Sequence, residues 1–409
     1  MSKRKHSLSS QSGPSAKKPR VSLQRFTSRT EGTLLTLGQG DMGQLGLGED
    51  IMERRRPAIV RELEDIPIKQ VVCGGMHTVA LTTEGKVYTF GCNDEGALGR
   101  TGDEALPGLV DLKGDVVQIS AGDSHTGLLM ADGSLLACGT FRDGNGIIGL
   151  TADTKKATVP TVIFPADCVR VSSGSDHMAV VKADGTLWTF GNAEQGQLGR
   201  VPTCFSMRGG RRGLKFLLEP HRVEMPRHRT VTDVYCGSFH TFAVVEHGTE
   251  VYVFGLNNYG QLGLGDVEMR NMPCRLENFP PADVSAKEHE PQFSGGQHHS
   301  LMLYGGRVYA FGRSDYGRLG LGGSDVEVTE MTQVPGLSNV SHLTTGSAVS
   351  LCCDADGKSL SWGMGTNNQL ASEGEDDVDC PTAMIGKQIE SRRVLAISGG
   401  GQHTALIVE

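Results

Sequence analysis

Residues 295–320, GGQHHSLMLYGGRVYAFGRSDYGRLG, decide the fold of this 409-residue chain. Their pattern is Gly-x-x-His, a short apolar run, a glycine turn, an alternating strand that ends in Phe-Gly, and a closing Gly-x-Leu-Gly. Glycine permits tight turns with positive φ, so 56 glycines at recurring places indicate turns between many short strands. The pattern has seven anchors: Gly74-x-x-His77, Gly122-x-x-His125, Gly174-x-x-His177, Gly237-x-x-His240, Gly295-x-x-His298, Gly346-x-x-Val349 and Gly400-x-x-His403.

A repeat of about fifty residues with about four short strands is typical of one blade of a β-propeller. The sequence therefore predicts an all-β, seven-bladed β-propeller. The last repeat has an opening half but no closing half, whereas residues 34–46 supply a closing half alone. We expect N- and C-terminal strands to pair and close the ring, which removes exposed sheet edges. The expected domains are a disordered basic tail, residues 1–30, and the propeller, residues 31–409.

The charge is divided unevenly along the chain. The net charge of the chain is −8. Residues 1–30 contribute +8 and residues 200–229 contribute +6, so the remaining residues carry −22. A basic tail and a basic segment on an acidic body favour two kinds of partner, one polyanionic and one basic.

The sequence gives little support for metal, cofactor or membrane chemistry. The ten cysteines include no Cys-x-x-Cys and no Cys/His cluster at zinc spacing, so we expect free thiols in a reducing compartment and no metal. Gly38-x-Gly40-x-x-Gly43 matches a dinucleotide fingerprint, but no helical pattern follows, and we expect no cofactor. No apolar run reaches the roughly 20 residues that span a bilayer. The anchor histidines recur one blade apart, too far for shared coordination at about 2 Å.

Two interruptions of the repeat are candidate functional loops. After Cys138-Gly139 the close is replaced by TFRDGNGIIG, residues 140–149, whose Asp-Gly-Asn-Gly centre predicts a protruding hairpin. The basic segment 200–229 lengthens the interval between Gly174 and Gly237 to 63 residues. Loops on a rigid scaffold are where function is expected. We interpret the acidic run 373–379 as a solvated loop and assign it no function.

The motifs GQGDMGQLGLGE, FGCNDEGALGR, SAGDSHT, FRDGNG, EQGQLGRVP, FSGGQHH and GGQHTALIV resemble those of the regulator of chromosome condensation family, from residue 34 to the C-terminus. The resemblance implies a guanine-nucleotide exchange factor for the small GTPase Ran, which performs no covalent chemistry and sets up nucleocytoplasmic transport and spindle assembly. One propeller face would bind Ran and insert a protruding wedge near its phosphate-binding loop. The wedge maps onto Phe141, Arg142, Asp143, Gly144, Asn145, Gly146, Ile147 and Ile148.

The resemblance also implies roles for single residues. Those that serve exchange map onto Asp123, Asp176 and His298, and those that support Ran binding map onto Asp41, Arg200 and His403. The blade does not require a carboxylate at Asp123 or Asp176, so both should point outward. Turn capping is the structural alternative for these two residues. His298 and His403 stand at anchor positions, where the blade itself uses histidine.

The opposite face would meet chromatin in the nucleus. In the family the loop and the tail dock on nucleosomes, which maps nucleosome contacts onto Arg208, Arg211 and Arg212, in a cluster suited to carboxylates of an acidic patch. Contacts to DNA phosphates map onto Arg227 and Arg229 and onto the tail residues Lys3, Arg4, Lys5, Lys17, Lys18 and Arg20. Two basic runs of the tail resemble a signal read by a nuclear import receptor. Solvated basic segments without partners remain the alternative.

A different class of function competes with exchange. A propeller of this kind could be an interaction scaffold that binds chromatin or a GTPase without releasing nucleotide. The wedge and the Asp123/Asp176 pair favour exchange, because a scaffold does not need them. A hydrolase or metal enzyme is disfavoured, since no convincing nucleophile, base or ligand set is present.

Overall fold

The computed structural model describes residue 21 and residues 31–202, 213–282, 289–323 and 326–409. Arg208, Arg211 and Arg212 lie outside these ranges, as do the tail residues Lys3, Arg4, Lys5, Lys17, Lys18 and Arg20, so their assignments stay predictions.

The described chain forms seven four-stranded antiparallel sheets and one separate two-stranded hairpin, which confirms the predicted seven-bladed propeller. Blades 1 to 6 follow chain order, and blade 7 joins the two ends. One short α-helix is described, α1 (Leu214–Leu218), with 3-10 turns at Arg61–Leu63, Pro226–His228 and Asp315–Gly317. The strands are β1 (Thr33–Gln39), β2 (Glu53–Ile59), β3 (Ile68–Cys73), β4 (His77–Thr82), β5 (Val87–Gly91), β6 (Gly108–Leu109), β7 (Val116–Ala121), β8 (His125–Met130), β9 (Leu135–Gly139), β10 (Phe141–Asp143), β11 (Gly146–Gly149), β12 (Ala157–Phe164), β13 (Cys168–Ser173), β14 (His177–Lys182), β15 (Leu187–Gly191), β16 (His221–Arg222), β17 (Val231–Cys236), β18 (His240–Val245), β19 (Glu250–Gly255), β20 (Arg270–Arg275), β21 (Gln292–Gly295), β22 (His299–Tyr304), β23 (Arg307–Gly312), β24 (Val328–Gln333), β25 (Val340–Thr345), β26 (Val349–Asp354), β27 (Ser359–Gly363), β28 (Val378–Ala383), β29 (Val394–Gly399) and β30 (His403–Val408).

Burial within a blade follows from stacking of the blades around the ring. Counted from the axis of the ring, the first strand of each sheet ends beside a central channel, and the second strand is covered on both faces by the neighbouring blades. The second strands are therefore apolar at successive positions; all six residues of β22, HSLMLY, are buried. The outer strand β24 is exposed or half-buried throughout and carries polar residues. The hydrophobic core accordingly consists of layers between blades, such as the cluster that joins blades 2 and 3.

Blade 7 closes the ring with strands from both ends of the chain. Its order is β2-β1-β30-β29, and Leu35 of β1 stands opposite Leu406 of β30. Leu35 and Leu406 are fully buried. This confirms the predicted closure by pairing of terminal strands.

The Gly-x-x-His anchor has a steric reason. A Cβ on Gly122 would lie 2.1 Å from Cε1 of His125, and one on Gly174 would lie 2.2 Å from Cε1 of His177. The imidazole therefore occupies the space that a side chain at the anchor glycine would fill. Each anchor histidine is almost completely buried, which lowers the pKa of His77 to about 4 and those of His177 and His403 to about 3.

The anchor histidines join neighbouring blades. In five of them Nε2 hydrogen-bonds the hydroxyl that follows the anchor position of the next blade. These pairs are His77–Thr126 (2.9 Å), His177–Thr241 (3.0 Å), His240–Ser300 (2.8 Å), His299–Ser350 (3.0 Å) and His403–Thr78 (2.8 Å). Met178 replaces the hydroxyl opposite His125, whose ring nitrogens have no hydrogen-bond partner among the described residues.

The structure corrects the fifth anchor. The anchor pair is Gly296 and His299, not Gly295 and His298: the N–H of Gly296 donates to the carbonyl of His299 at 2.9 Å, as Gly74 does to His77 at 2.8 Å. His299 is fully buried, whereas His298 is half-buried in the preceding turn. The doubled Gly295-Gly296 and His298-His299 allowed two registers one residue apart. The hydroxyl residue after the anchor would have resolved them, because Ser300 follows His299.

Candidate protein-binding face

We call the end of the propeller that carries the Gly-x-x-His turns the anchor face. On this face the connection between β9 and β12 forms the predicted hairpin, made of β10 and β11. Asp143 stands opposite Gly146, and Gly144-Asn145 make the turn. The Asp143 carboxylate accepts the N–H of Asn145 at 2.8 Å, which stabilises the turn locally.

The hairpin is rooted in the core at both ends of the predicted wedge. Phe141 is fully buried and Ile148 is 7% exposed, both in the cluster between blades 2 and 3. The Phe141 ring lies edge-on to His125, with ring centroids 4.7 Å apart, and to Phe190 at 5.7 Å. Of the wedge residues, Phe141 and Ile148 therefore position the hairpin, while the exposed residues Arg142, Gly144 and Asn145 remain available for contact.

Side chains of blade 3 hold the wedge backbone. Asp176 Oδ1 accepts the N–H of Arg142 at 2.8 Å, and Glu194 Oε2 accepts that of Gly144 at 3.0 Å. The amide of Asn192 donates to the carbonyl oxygen of Arg142 at 2.9 Å. On the other side, the Arg142 guanidinium pairs with Glu95 of blade 1 at 2.7 Å. The wedge is thus fixed between two neighbouring blades.

Asp176 and Asp123 are coupled electrostatically. Burial, and then the nearby charge of Asp123, raise the pKa of Asp176 to about 7, although the Arg142 N–H opposes the rise. The residues around the central channel also desolvate the Asp123 carboxyl and raise its pKa, although Asp123 keeps an exposed surface at the rim. Asp123 follows the anchor Gly122, and its N–H donates to the carbonyl of Ser175 at 2.9 Å. Asp123 faces outward as predicted, whereas Asp176 is turned toward the wedge.

His298 belongs to an aromatic and cationic cluster on blades 4 and 5 of the same face. Its ring lies 5.0 Å from that of Tyr259 and 6.2 Å from that of Phe239, between ring centroids. The Arg313 guanidinium stacks over Tyr259 at 4.8 Å. Burial, and then the charge of Arg313, lower the pKa of His298 to about 4. His298 occupies the turn position that Asp176 holds in blade 3, so two of the three predicted exchange residues come from one site of the repeat.

The three residues predicted to support binding lie in different surroundings. Asp41 is exposed on the anchor face, after β1, where it accepts a hydrogen bond from Gln44 at 3.3 Å. His403 is fully buried and hydrogen-bonds Thr78, so it can act on a partner only by positioning the blades.

Arg200 braces the basic segment from within. Its guanidinium donates to the carbonyls of Thr189 and Phe216, both at 3.1 Å, and stacks over the Phe216 ring at 4.8 Å. Burial lowers its pKa to about 10. Arg100 bonds Thr89 in the same way in blade 1, and each of the two arginines ends a Gly-x-Leu-Gly-Arg motif. This repeated motif marks Arg200 as a structural brace.

The described end of the basic segment reaches the opposite face. The N–H of Val231, just after it, donates to the carbonyl of Gly185 at 2.9 Å, in the turn between β14 and β15. Arg227 is exposed, whereas Arg229 pairs with Glu250 at 2.9 Å. Val21, the one described residue of the predicted tail, is 8% exposed and bonds the carbonyl of Ala183 at 2.9 Å beside it. Val21 and the described end of the basic segment therefore lie on the same side of the propeller.

The described residues contain no group of three His, Cys, Asp or Glu side chains placed to hold a metal ion. Nine cysteines in the described ranges are free. None of the described helices has the length and apolarity needed to cross a membrane.

Sequence reasoning missed Asn192 and Glu194 as partners of the wedge. A signal was available. Asn93 and Asn257 stand two residues after the strand-ending glycine and accept the N–H of Leu98 (3.0 Å) and Leu262 (2.9 Å). Blade 3 has Ala193 at that position and carries its asparagine one residue earlier. An asparagine one residue out of register with those of blades 1 and 4 was therefore a signal that Asn192 has different partners.

Comparison with known proteins finds relatives that match the whole propeller. The family model described as RCC1-like domain matches residues 33–406. The chain is 48% identical over 387 residues to the regulator of chromosome condensation of Xenopus laevis, covering 92% of this chain and 90% of that protein. It is 47% identical to the human protein of that name, covering 97% of this chain and 95% of the other.

Two solved structures share the fold. Prp20p from Saccharomyces cerevisiae, described with its binding properties to Gsp1p and histones, superimposes with a TM-score of 0.84 at 27% identity, covering 96% of this chain and 93% of that one. Yeast RCC1 (Prp20) bound to Kap60 gives a TM-score of 0.85 at 27% identity, covering 99% and 96%.

Proposed function

Because the chain belongs to the regulator of chromosome condensation family, we propose that it is a guanine-nucleotide exchange factor for the small GTPase Ran, acting on chromatin in the nucleus. The observation that carries the proposal is the wedge on the anchor face, whose backbone is held by Asp176, Asn192 and Glu194. Such a regulator needs no covalent step. By supplying Ran with GTP at chromatin it would set up nucleocytoplasmic transport and spindle assembly.

Exchange follows from linkage between two binding equilibria. A factor that binds nucleotide-free Ran more tightly than loaded Ran must, by reciprocity, weaken the binding of nucleotide. Nucleotide affinity depends on the backbone of the phosphate loop, its lysine and Mg²⁺. A hairpin pressed against that loop would disturb all three. The wedge suits this task because Phe141 and Ile148 root it in the core and blade 3 holds its backbone.

The two aspartates take different parts in this proposal. Asp123 is exposed at the rim of the channel, where its carboxylate can attract the lysine released from the phosphates. Asp176 acts through its hydrogen bond to Arg142, because one carboxylate oxygen is already occupied by the wedge. Asp41, and the cluster around His298, would add contacts elsewhere on the same face.

The test is release of a fluorescent nucleotide from Ran with and without the protein. Acceleration by the full chain, and its loss in an Asp123→Ala/Asp176→Ala variant that still binds Ran, would support the proposal. Full activity of that double variant would reject the roles given to the two aspartates. Binding to Ran without any acceleration would instead identify an interaction scaffold.

The opposite face supports a chromatin partner. Arg227 is exposed there, and Val21 lies on the same side as the described end of the basic segment. Contacts with phosphates would give salt-sensitive binding without base recognition. Prp20p, a structural relative, is described with histones, and yeast RCC1 with Kap60, which favours nucleosomes and a nuclear import receptor as partners of this chain.

Nucleosome binding is tested by Arg208→Glu/Arg211→Glu/Arg212→Glu. We expect weaker nucleosome binding with unchanged nucleotide release from Ran, because the two partners would use different faces. Unchanged nucleosome affinity would show that these arginines are solvated and make no contact.

A further inference from the structure

Two side chains of blade 3, those of Asn192 and Glu194, hold the wedge that blade 2 projects. Asn192 follows the last residue of β15, and Glu194 lies two residues further on. Asn192 is 7% exposed, and its side chain joins two partners: the amide donates to the carbonyl of Arg142 at 2.9 Å, and Oδ1 accepts the N–H of Glu194 at 2.7 Å. Glu194 in turn accepts the N–H of Gly144 at 3.0 Å.

The corresponding loops of blades 1 and 4 use an asparagine differently. There the asparagine stands one residue later, as Asn93 and Asn257, and accepts a backbone N–H within its own blade, from Leu98 and Leu262 respectively. Blade 3 has Ala193 at that place. Asn192 keeps one bond inside its own blade, from the N–H of Glu194 to Oδ1, and its amide donates across the blade boundary to the wedge. Among the described residues, the side chains of Asn93 and Asn257 hydrogen-bond only within their own blades.

We propose that Asn192 and Glu194 are positioning residues of nucleotide exchange, which fix the orientation of the wedge by holding its backbone at Arg142 and Gly144. The inference rests on the proposed exchange function. Together with Asp176, the pair makes three hydrogen bonds to the backbone of Arg142 and Gly144 on one side of the hairpin. On the other side Glu95 holds the Arg142 guanidinium at 2.7 Å and Lys156 at 3.3 Å. A two-stranded hairpin is only marginally stable alone, so these bonds determine where its tip lies.

Positioning predicts a particular kinetic signature. A misplacement of about 1 Å can cost on the order of a hundredfold in rate when a group must meet its target in a set geometry. Asn192→Ala/Glu194→Ala should therefore lower kcat for Ran nucleotide exchange by about tenfold or more, while KM changes little because the rest of the anchor face still binds. The step that slows should be the displacement of nucleotide from Ran, and not the binding of Ran.

Charge and hydrogen bonding can be separated at Glu194. Glu194→Gln keeps an oxygen that can accept the Gly144 N–H but removes the charge, so it should retain nearly wild-type kcat where Glu194→Ala does not. If Glu194 acted by attracting a basic surface of Ran, Glu194→Gln would fail as badly as Glu194→Ala. That failure would overturn the positioning role.

A matched control lies on the same face. Glu104 is an exposed glutamate whose carboxylate accepts the N–H of Asn93 at 3.2 Å, without contact to the wedge. Glu104→Ala should leave kcat unchanged. Equal losses in Glu104→Ala and Glu194→Ala would show a general effect of acidic charge on this face and would contradict the proposal.

Hydrogen exchange supplies a readout that does not need Ran. In the free protein, the amides of Arg142 and Gly144 should exchange faster in Asn192→Ala/Glu194→Ala than in the wild type, while amides of β14 keep their protection. Unchanged protection of both wedge amides, or an unchanged kcat, would overturn the inference. If the wild type does not accelerate release at all, the proposed function fails, and the exchange rates of these two amides still decide whether the pair positions the wedge.

Discussion

The carboxylate of Asp176 in blade 3 accepts the backbone N–H of Arg142, in the hairpin that blade 2 projects from the anchor face, at 2.8 Å. Burial and the charge of Asp123 raise the pKa of this same carboxyl to about 7. One group therefore couples the position of the wedge to a proton near neutral pH. An ionised carboxylate is the stronger acceptor, so its ionisation strengthens the hold on the hairpin.

Exchange by the wild type should depend on pH through Asp176. Below pH 7 the carboxyl is protonated and holds Arg142 less strongly, so kcat for nucleotide release from Ran should rise between pH 6 and pH 8 as a single group ionises. Asp176→Asn keeps an acceptor oxygen but does not titrate, and its profile should be flatter over that range. An identical pH profile in the two proteins would contradict this role.

The same residue should oppose stability at high pH. Because its pKa is raised in the folded protein, the folded state binds this proton more tightly than the unfolded chain, and stability falls as pH rises from about 4 to 7. Asp176→Asn should therefore have a higher denaturant midpoint than the wild type at pH 8. A lower midpoint would show that the carboxylate is stabilising despite its burial.

The buried anchor histidines should make the propeller sensitive to acid. Their folded pKa values are lowered, to about 3 for His177 and about 4 for His77, so the unfolded chain takes up protons below pH 6.5 that the folded state does not. The stability they confer is complete above pH 6.5 and is lost as pH falls toward 4, by about 1.4 kcal/mol per pH unit for each proton. Denaturant midpoints between pH 7 and pH 5 measure it.

Blade 6 supplies the control for that prediction, because it carries Val349 at the anchor position. His177→Val should lower stability at pH 7, since the bond to Thr241 at 3.0 Å is lost, but should make the decline with acid shallower. A decline as steep as in the wild type would show that His177 does not titrate on unfolding.

Closure of the ring should be required for folding. Deleting residues 399–409 removes β30, leaves β1 paired only with β2 and removes the fully buried Leu406 and Ile407. We expect the truncated chain to lose cooperative thermal unfolding, followed by circular dichroism. Deleting residues 1–20, which lie outside blade 7, should leave the melting temperature nearly unchanged. Normal melting of the C-terminal truncation would refute closure as the source of stability.

The repeat made the fold predictable because its signal is steric. The anchor glycine is required by the imidazole above it, so Gly-x-x-His recurs in six of the seven blades, and strand pairing at the ends follows from half-repeats. The predicted anchor of blade 5 was wrong by one residue because Gly295-Gly296 and His298-His299 satisfy the motif twice. The hydrogen bond from His299 to Ser350 shows that the pairing between blades, rather than the motif alone, defines the anchor.

The basic residues at the end of the segment should differ in their contribution to DNA binding. Arg227 is exposed, whereas Arg229 is already paired with Glu250 at 2.9 Å. Arg227→Ala should weaken nucleosome or DNA binding and reduce the salt slope by about 1, whereas Arg229→Ala should have a smaller effect. Binding measured across a salt titration tests this. Equal slopes for wild type and Arg227→Ala would show that Arg227 contacts no phosphate.

The candidate site was predicted only in part from sequence. The protruding hairpin followed from the Asp-Gly-Asn-Gly centre, because that turn chemistry is local. What holds the hairpin was not visible, since Asp176, Asn192 and Glu194 reach it from 34 or more residues away. Burial likewise separates Arg200 and His403, which brace the fold, from exposed Asp41 and Asp123 in ways that composition does not show.

The most direct test of exchange through the wedge compares release of fluorescent GDP from Ran by the wild type and by a variant in which residues 142–147 are replaced by two glycines. Phe141 and Ile148 keep their core positions in this variant, so the fold should be retained. We predict that the wild type accelerates release well above the intrinsic rate and that the shortened variant loses at least about tenfold of kcat while still binding Ran. Release as fast with the shortened hairpin as with the intact one would contradict the account.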